Sequence, residues 1–289
     1  MLTRIALGLL WLLHFLPLRI LNPIGQGGGL LFLLLGKERR QVTRCNLRLC
    51  FPEITERARN QIMRKHYRVF GRAVLEAGIV WWGSVRRIQR LVQVEGEEHF
   101  RALGDKRSIG LVPHFAGIEH LGLRMSTDRK GMAIYAHQKN KTFDEFLLRV
   151  RTRFPGTRMI SRQEGVKTIL RGFREGLYLQ LSPDMDLGPR DSVFVPFFGF
   201  PAATVTALPR MAKLTGAAIV PVVVSQRPKG LGYRVRIYPA WDNYPTSDVE
   251  ADVRRMNAFI EERIREMPEQ YLWMHKRFKT RPPGEARIY

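Results

Sequence analysis

The pattern of apolar and polar positions changes twice along the chain, and each change marks a different kind of segment. The first 36 residues hold two apolar runs, IALGLLWLLHFLPLRIL from Ile5 to Leu21 and GGLLFLLLG from Gly28 to Gly36. Residues 53–78 place apolar side chains at helical spacing, which predicts one long amphipathic helix. Beyond Trp82, short apolar runs alternate with helix-like stretches. That alternation is typical of an α/β domain.

The short apolar runs of this third region predict the strands of one sheet, at 108–113, 132–136, 177–181, 218–224 and 233–238. Helices are predicted near 117–127, 141–152, 163–175, 203–215 and 248–266. Together they indicate a single α/β domain with a mixed, mostly parallel sheet flanked by helices. The C-terminal stretch MPEQYLWMHKRFKTRPP predicts a short helix followed by a basic tail.

The N-terminal apolar segment predicts a membrane anchor at residues 1–36, ahead of a folded domain at 37–289. A spanning helix needs about 20 apolar residues. The first run is slightly shorter and contains His14, Pro17 and Arg19, so spanning and lying in the membrane plane both stay open. A cleaved signal peptide and a buried helix are the alternatives, although no small-x-small cleavage site follows the run. The Lys/Arg cluster that comes next predicts a cytoplasmic location for the domain.

The composition adds one strong constraint, because 48 Lys and Arg against 26 Asp and Glu give a formal charge of +22. Such an excess indicates an anionic partner: nucleic acid, an anionic membrane, a phosphorylated lipid or an acidic carrier protein. Cys45 and Cys50 have no second cysteine pair and no histidine at zinc spacing. They are predicted to be reduced, structural thiols rather than metal ligands.

The segment VPHFAGIEH, from Val112 to His120, is the first candidate for chemistry. It places His114 directly after a predicted strand, where open α/β sheets carry their sites. Glu119 pairs with His114 only if the histidine lies in the turn and the acid in the first helical turns. A carboxylate that orients an imidazole makes it a general base for an attacking hydroxyl. His120 is a rival partner for Glu119, and a purely structural His114 is the simpler alternative.

The segment LSPDMDLGPRDSVFVPFFG, from Leu181 to Gly199, is the second candidate. Asp184 and Asp186 follow a predicted strand and precede a Gly-Pro pair. Three interpretations stay open: a D-x-D metal site, carboxylates that position a basic group or a hydroxyl, and ordinary turn residues. Clustered arginines, among them Arg149, Arg151, Arg153, Arg158, Arg162 and Arg190, are either phosphate ligands or a solvated surface.

These segments together resemble the lipid A biosynthesis acyltransferases, the late acyltransferases of Gram-negative bacteria. The resemblance covers essentially the whole chain: the apolar N-terminus, PHFAGIE, SPDMDLGPRDSVFVPFFG and PEQYLWMHKRFKTRP. It implies an inner-membrane enzyme facing the cytoplasm, which moves an acyl chain from acyl carrier protein to a hydroxyl of a phosphorylated glycolipid. No cofactor, metal or nucleic acid is implied. The apolar run VFVPFFGFP is then either part of an acyl groove or simply core.

Residue by residue, the resemblance implies that His114 is the general base and that Glu119 orients it. Arg151 and Asp184 match further catalytic positions of the family, with Arg151 as the cation at the oxyanion. The implied substrate-binding residues are Arg162, Asp186 and Arg190. Two other functions remain alternatives: transfer to another lysolipid or glycolipid by an enzyme of the same superfamily, and a non-enzymatic basic protein that binds membranes or nucleic acid.

Overall fold

A seven-stranded sheet forms the centre of the computed structural model, which describes all 289 residues. The strands are β1 (Val92–Glu95), β2 (Ser108–Leu111), β3 (Gly131–Tyr135), β4 (Thr157–Ser161), β5 (Tyr178–Leu181), β8 (Ala218–Gln226) and β9 (Tyr233–Ile237). Their order is β1-β9-β8-β2-β5-β3-β4, and every neighbouring pair is parallel except β8–β9. The predicted fold class is therefore confirmed.

Two further strands, β6 (Ser192–Phe197) and β7 (Phe200–Val205), form a separate antiparallel hairpin. It contains most of the apolar run VFVPFFGFP. The side chains of Val195 and Phe197 are fully buried, as alternate residues of a strand with one covered face must be. These residues belong to the core, so the alternative of a groove lining is wrong for them.

Eleven α-helices surround the two sheets. They are α1 (Leu2–Leu13), α2 (Leu18–Leu35), α3 (Lys37–Cys50), α4 (Glu56–Trp82), α5 (Val85–Leu91), α6 (Glu97–Arg101), α7 (Ile118–Ser126), α8 (Lys141–Arg151), α9 (Val166–Arg174), α10 (Ala207–Thr215) and α11 (Val249–Glu266). The long amphipathic helix predicted at 53–78 corresponds to α4, which begins later because the Thr55 side chain caps it by accepting from Ala58 N–H.

All five predicted strands are present, but four others were not predicted: β1, β4, β6 and β7. The helix predicted at 203–215 begins only at Ala207, because residues 203–205 pair in the hairpin. The C-terminal stretch was predicted to be a short helix. It forms only a 3-10 turn, Pro268–Gln270, after which the chain has little regular structure and Tyr271 makes a single antiparallel bridge to Phe115.

The parallel pairing places the carboxyl ends of β2, β5, β3 and β4 along one edge of the sheet. All four residues of β2 are buried, because helices cover both faces of the sheet there. One helix, α2, is long and apolar enough to cross a membrane by length and composition, whereas α1 is shorter. Both helices pack against α4, and the boundary predicted at residue 36 remains a prediction.

Candidate active site

A histidine and an aspartate meet where β2 and β5 end. His114 Nδ1 lies 2.7 Å from one Asp184 carboxylate oxygen, and the His114 backbone N–H donates to the other at 2.8 Å. The Asp184 side chain is fully buried, while that of His114 is 21% exposed. An ionised carboxylate only accepts hydrogen bonds, so Nδ1 carries the proton. Nε2 forms no hydrogen bond, so its lone pair is free in the tautomer protonated on Nδ1, which is the arrangement that a general base requires.

Asp184 stays ionised despite its burial. Desolvation raises the pKa of its carboxyl group, but the charge of His114 and the hydrogen bonds from its ring and backbone N–H lower it further. The net result is an Asp184 pKa below its ordinary value. A buried carboxylate beside the imidazole fixes its tautomer and stabilises the imidazolium formed when Nε2 takes a proton.

Glu119 pairs with an arginine instead of with His114. It lies in the first turn of α7, and Arg151, at the end of α8, donates to it through Nε and Nη2, the latter at 2.6 Å. The Trp81 indole N–H, from the last turn of α4, donates to Glu119 at 2.9 Å. Burial raises the pKa of Glu119, but the charge and hydrogen bonds of Arg151 and the bond from Trp81 bring it below its ordinary value.

The predicted contact between His114 and Glu119 is therefore absent, because His114 is hydrogen-bonded to Asp184 and Glu119 is hydrogen-bonded to Arg151. His120, the rival partner for Glu119, also lies elsewhere. Its ring stacks on Tyr233 at 3.9 Å between centroids, and neither ring nitrogen has a hydrogen-bond partner. Burial lowers the pKa of His120 to about 3, so it is neutral at physiological pH.

Asp186, predicted to bind substrate, is held by the chain itself. Its carboxylate accepts from the backbone N–H and the hydroxyl of Thr280, at 2.6 and 2.8 Å, and from Gly188 N–H. The Asp186 backbone N–H donates to His275 Nε2 at 3.0 Å. Burial lowers the pKa of His275 to about 4, which keeps this nitrogen an acceptor. With these bonds Asp186 fixes its own loop, and its role in substrate binding stays a prediction.

The C-terminal segment 270–280 also touches both members of the histidine–aspartate pair. Leu272 N–H donates to the His114 carbonyl at 3.0 Å, and the Tyr271 hydroxyl donates to the Asp184 carbonyl at 3.4 Å. The sequence analysis assigns no role to Tyr271, His275 or Thr280. The only indication of a role for this segment is that it contains a histidine and a threonine within a long motif of the family.

The two remaining arginines that were predicted to bind substrate do not contact this pair. Arg162 is exposed and follows β4, three strands from β2, which at the usual spacing is about 14 Å. The Arg190 side chain is 96% exposed, and its Nε lies 3.7 Å from Asp191. Nothing brings either guanidinium to His114, so their role in substrate binding stays a prediction.

The D-x-D pair does not have the character of a cation site. N–H and O–H donors already occupy the oxygens of Asp184 and Asp186. The chain contains no cluster of three or more His, Cys, Asp and Glu side chains arranged to hold a metal ion. The geometry therefore favours positioning carboxylates among the three interpretations.

A largely apolar cavity of about 520 Å³, open to solvent, lies beside Trp81, the residue that donates to Glu119. It is formed where α1, the end of α4 and α8 meet. The lining side chains include Leu7, Trp11, Trp81, Trp82, Phe146 and Arg153. The Arg153 guanidinium donates to the carbonyls of residues 80, 81 and 83 at the end of α4, so it helps to hold the aromatic wall in place.

Comparison with known proteins identifies the family of the chain. Residues 1–280 match the family model described as bacterial lipid A biosynthesis acyltransferase. The lipid A biosynthesis lauroyltransferase of Escherichia coli is 35% identical over 291 residues, covering 100% of this chain and 94% of that protein. The palmitoleoyltransferase of the same organism is 33% identical with the same coverage, and its myristoyltransferase is 33% identical over 88% of this chain and 80% of its own. The chain belongs to the bacterial lipid A biosynthesis acyltransferase family.

Proposed function

We propose that this acyltransferase moves a fatty acyl chain from acyl carrier protein to a hydroxyl of a phosphorylated lipid A precursor, at the cytoplasmic face of the inner membrane. Acyl transfer in lipid A biosynthesis follows from the family. The observation that carries the catalytic assignment is the His114–Asp184 pair, with its protonated Nδ1 and unoccupied Nε2. In this assignment His114 is the general base and Asp184 orients it.

The proposed reaction is a single direct transfer of the acyl group. The acceptor hydroxyl gives its proton to His114 Nε2 as its oxygen attacks the thioester carbonyl carbon. The tetrahedral intermediate then collapses, the carbon–sulfur bond breaks, and the departing thiolate takes the proton from the imidazolium. Asp184 stabilises the imidazolium between these steps because its carboxylate is ionised and buried against Nδ1.

Glu119 takes a different role from the one that the family resemblance implied. Its carboxylate engages Arg151 through Nε and Nη2 and leaves Nη1 without a hydrogen bond. We assign Glu119 to the positioning of Arg151, and Arg151 to the stabilisation of the developing oxyanion through its remaining N–H groups. Three helices fix this guanidinium, because Trp81 of α4 holds the glutamate as well.

The apolar cavity beside Trp81 is the proposed site of the transferred acyl chain. Burying a methylene group contributes about 0.8 kcal/mol, so an apolar wall of aromatic rings favours a long chain. The excess of basic residues supports an acidic carrier protein as donor and a phosphorylated acceptor. Arg162 and Arg190 are assigned to this steering because they are exposed on the surface.

The experiment that tests the proposal compares the wild-type protein with His114→Ala in membranes. Each preparation is incubated with a tetra-acylated lipid A precursor and a mixture of acyl carrier protein thioesters, and mass spectrometry resolves the products. We expect one added acyl group from the wild type and a loss of about 10²–10⁴-fold in the variant, the usual contribution of general-base catalysis.

A matched control is His99→Ala, because His99 lies in α6, which follows the edge strand β1, three strands from β2. It should keep full activity. Product that survives in His114→Ala would remove this histidine from the mechanism. A wild-type protein that acylates a lysophospholipid but no lipid A precursor would contradict the proposed acceptor and favour the alternative of another lysolipid.

A further inference from the structure

Most of the large hydrophobic side chains that the protein exposes lie in its first 35 residues. We call ten of them the N-terminal apolar face: Leu2, Ile5, Leu9, Leu12, Phe15, Ile20, Ile24, Leu31, Leu34 and Leu35. They come from α1, α2 and the loop between them. An apolar surface of this extent on a folded protein indicates contact with another molecule or with a membrane.

The opposite side of α2 is in backbone contact with α4. A Cβ added to Gly25 would lie 2.7 Å from Arg72 Cα, and one added to Gly29 would lie 1.9 Å from the Tyr67 carbonyl oxygen. On α4, a Cβ added to Gly71 would lie 2.2 Å from the Gly25 carbonyl oxygen. Only glycine at all three positions allows the helices to approach this closely, so the crossing point of α2 is fixed on the domain.

The contact extends over most of α2. Near its start Asn22 is buried and packs against Gly230, in the loop between β8 and β9, while it accepts a hydrogen bond from Gln26. Near its end Leu33 is buried, and Arg40 donates to the carbonyls of Leu33 and Leu34. The buried Asn22 therefore faces the domain, and the length of α2 lies alongside the domain instead of projecting from it.

This packing is incompatible with a helix that crosses a bilayer. At 18 residues α2 is about 27 Å long, close to the thickness of the hydrocarbon layer. If α2 spanned that layer, the flank of α4 beside it would enter the hydrocarbon too. That flank carries the exposed Arg68, and the buried Arg72–Glu76 ion pair lies directly behind it. Charged groups at such a depth are strongly unfavourable.

We propose that α1 and α2 lie in the plane of the membrane, with the N-terminal apolar face inserted into one leaflet of an anionic bilayer and the N-terminus on the side of the catalytic domain. Exposed cations at the margins, Arg4, Arg19, Lys37 and Arg44, fit the phosphates of that leaflet. The inference deepens the proposed function, on which it rests for the presence of the membrane. It decides between the two anchoring modes that the sequence left open.

An in-plane α1 also connects the leaflet to the site. Its Leu9 and Leu12 belong to the N-terminal apolar face, whereas Leu7 and Trp11 line the cavity beside Trp81. The same helix thus has one side for lipid and the other for the proposed acyl-chain cavity. A helix that left the domain to cross the membrane would remove that wall.

The test determines the side of the membrane on which the N-terminus lies. A cysteine is added before Met1 through a short Gly-Ser linker, in a background in which Cys45 is replaced by serine and Cys50 by alanine. A control protein in the same background carries Lys167→Cys, at an exposed position of α9 in the catalytic domain. Both are treated with a membrane-impermeant maleimide in intact spheroplasts and in inverted vesicles.

We expect both cysteines to react only in inverted vesicles, with labelling at least tenfold above that in spheroplasts. Labelling of the N-terminal cysteine in spheroplasts would overturn the inference, and so would protection from both sides that detergent relieves. Acyl transfer is assayed on the same vesicles. Activity with an external N-terminus would refute the in-plane arrangement alone, whereas an internal N-terminus without acyl transfer would refute the proposed function alone.

A glycine pair tests the packing on which the inference depends. Gly29→Leu places a side chain into the α4 backbone, whereas Gly28→Leu on the neighbouring position meets nothing within 4 Å. In-plane packing predicts that Gly29→Leu lowers the yield of folded, active membrane-bound protein several-fold while Gly28→Leu leaves it unchanged. Equal behaviour of the two variants would contradict the fixed crossing of α2 and α4.

Discussion

Two carboxylates at the site stand in contrasting environments. Asp184 lies at the end of β5 and bonds a histidine, whereas Glu119 lies at the start of α7 and bonds an arginine. Asp184 is fully buried and Glu119 mostly buried. Both have a lowered pKa, in each case because a neighbouring cationic or hydrogen-bonding group outweighs desolvation. They differ in what the partner leaves free: a lone pair on His114 Nε2 and N–H donors on Arg151 Nη1.

This difference separates two requirements of acyl transfer. A lone pair accepts the proton of the attacking hydroxyl, and a free N–H donor stabilises negative charge on the carbonyl oxygen. Neither carboxylate bonds both His114 and Arg151, because the oxygens of Asp184 accept from His114 and those of Glu119 accept from Arg151. In the proposed mechanism the H-x4-E spacing therefore joins two separate functions, and it does not by itself define one hydrogen-bonded pair.

The largest effect should come from Asp184→Asn. An amide presents one acceptor oxygen in place of two, so the two bonds to His114 cannot both be kept and the ring loses its charged partner. We expect kcat to fall about 10²–10⁴-fold with little change in KM. Initial rates of transfer from an acyl carrier protein thioester measure both parameters.

Glu119→Gln is the matched comparison, since it makes the same acid-to-amide change at the other carboxylate. It should lower kcat by a smaller factor, about tenfold, because it weakens the hold on Arg151 without touching the base. A larger loss in Glu119→Gln than in Asp184→Asn would restore the original interpretation, in which Glu119 orients His114 during the reaction.

Stability is also expected to fall when the Glu119–Arg151 pair is broken. Arg151→Met leaves a mostly buried carboxylate without its cation, which should lower the free energy of unfolding by about 3 kcal/mol. Adding Glu119→Gln removes the unpaired charge and should recover part of the loss. Denaturant unfolding of the single and double variants in detergent measures this coupling.

The same cycle at the other carboxylate provides the control. Asp184 keeps the hydrogen bond from the backbone N–H of residue 114 when the imidazole is removed, so His114→Ala should cost less stability than Arg151→Met does. Strictly additive effects for the Glu119 and Arg151 variants would mean that the two side chains do not interact in solution.

The sheet was predictable from the sequence because its central strands are short, apolar and bounded by turns. The strands at 108–113 and 177–181 coincide with β2 and β5, and together they place His114 and Asp184 at one edge. The edge strands β1 and β4 escaped prediction because polar residues interrupt their apolar pattern, as in TRMIS at 157–161. The hairpin of β6 and β7 escaped because its apolar run also fits a core segment without strand pairing.

The sequence singled out the residues of the two pairs described above, but not how they pair. His114 bonds Asp184, and Arg151 bonds Glu119. The sequence could not choose between the carboxylates, because Asp184 is 70 residues from His114 and reaches it only through the parallel pairing of β2 and β5. The short H-x4-E spacing favoured Glu119, the acid nearer in sequence, as the partner of His114. The buried contacts of Asp186 with Thr280 and His275 span about 90 residues and give no local signal at all.

The smallest effect is expected for the contact between Thr280, in the C-terminal segment, and the loop that follows Asp184. The Thr280 hydroxyl donates to Asp186, two residues beyond Asp184, so Thr280→Val removes one hydrogen bond to a buried carboxylate and keeps the shape of the side chain. We expect a loss of about 1–2 kcal/mol of stability and a fall of several-fold in kcat, since the loop that carries Asp184 becomes less fixed. Thr280→Ser keeps the hydroxyl and should restore most of the kcat. Serine and valine variants with the same kcat would show that the hydroxyl does not position the loop, and that Asp184 depends on β5 and His114 alone.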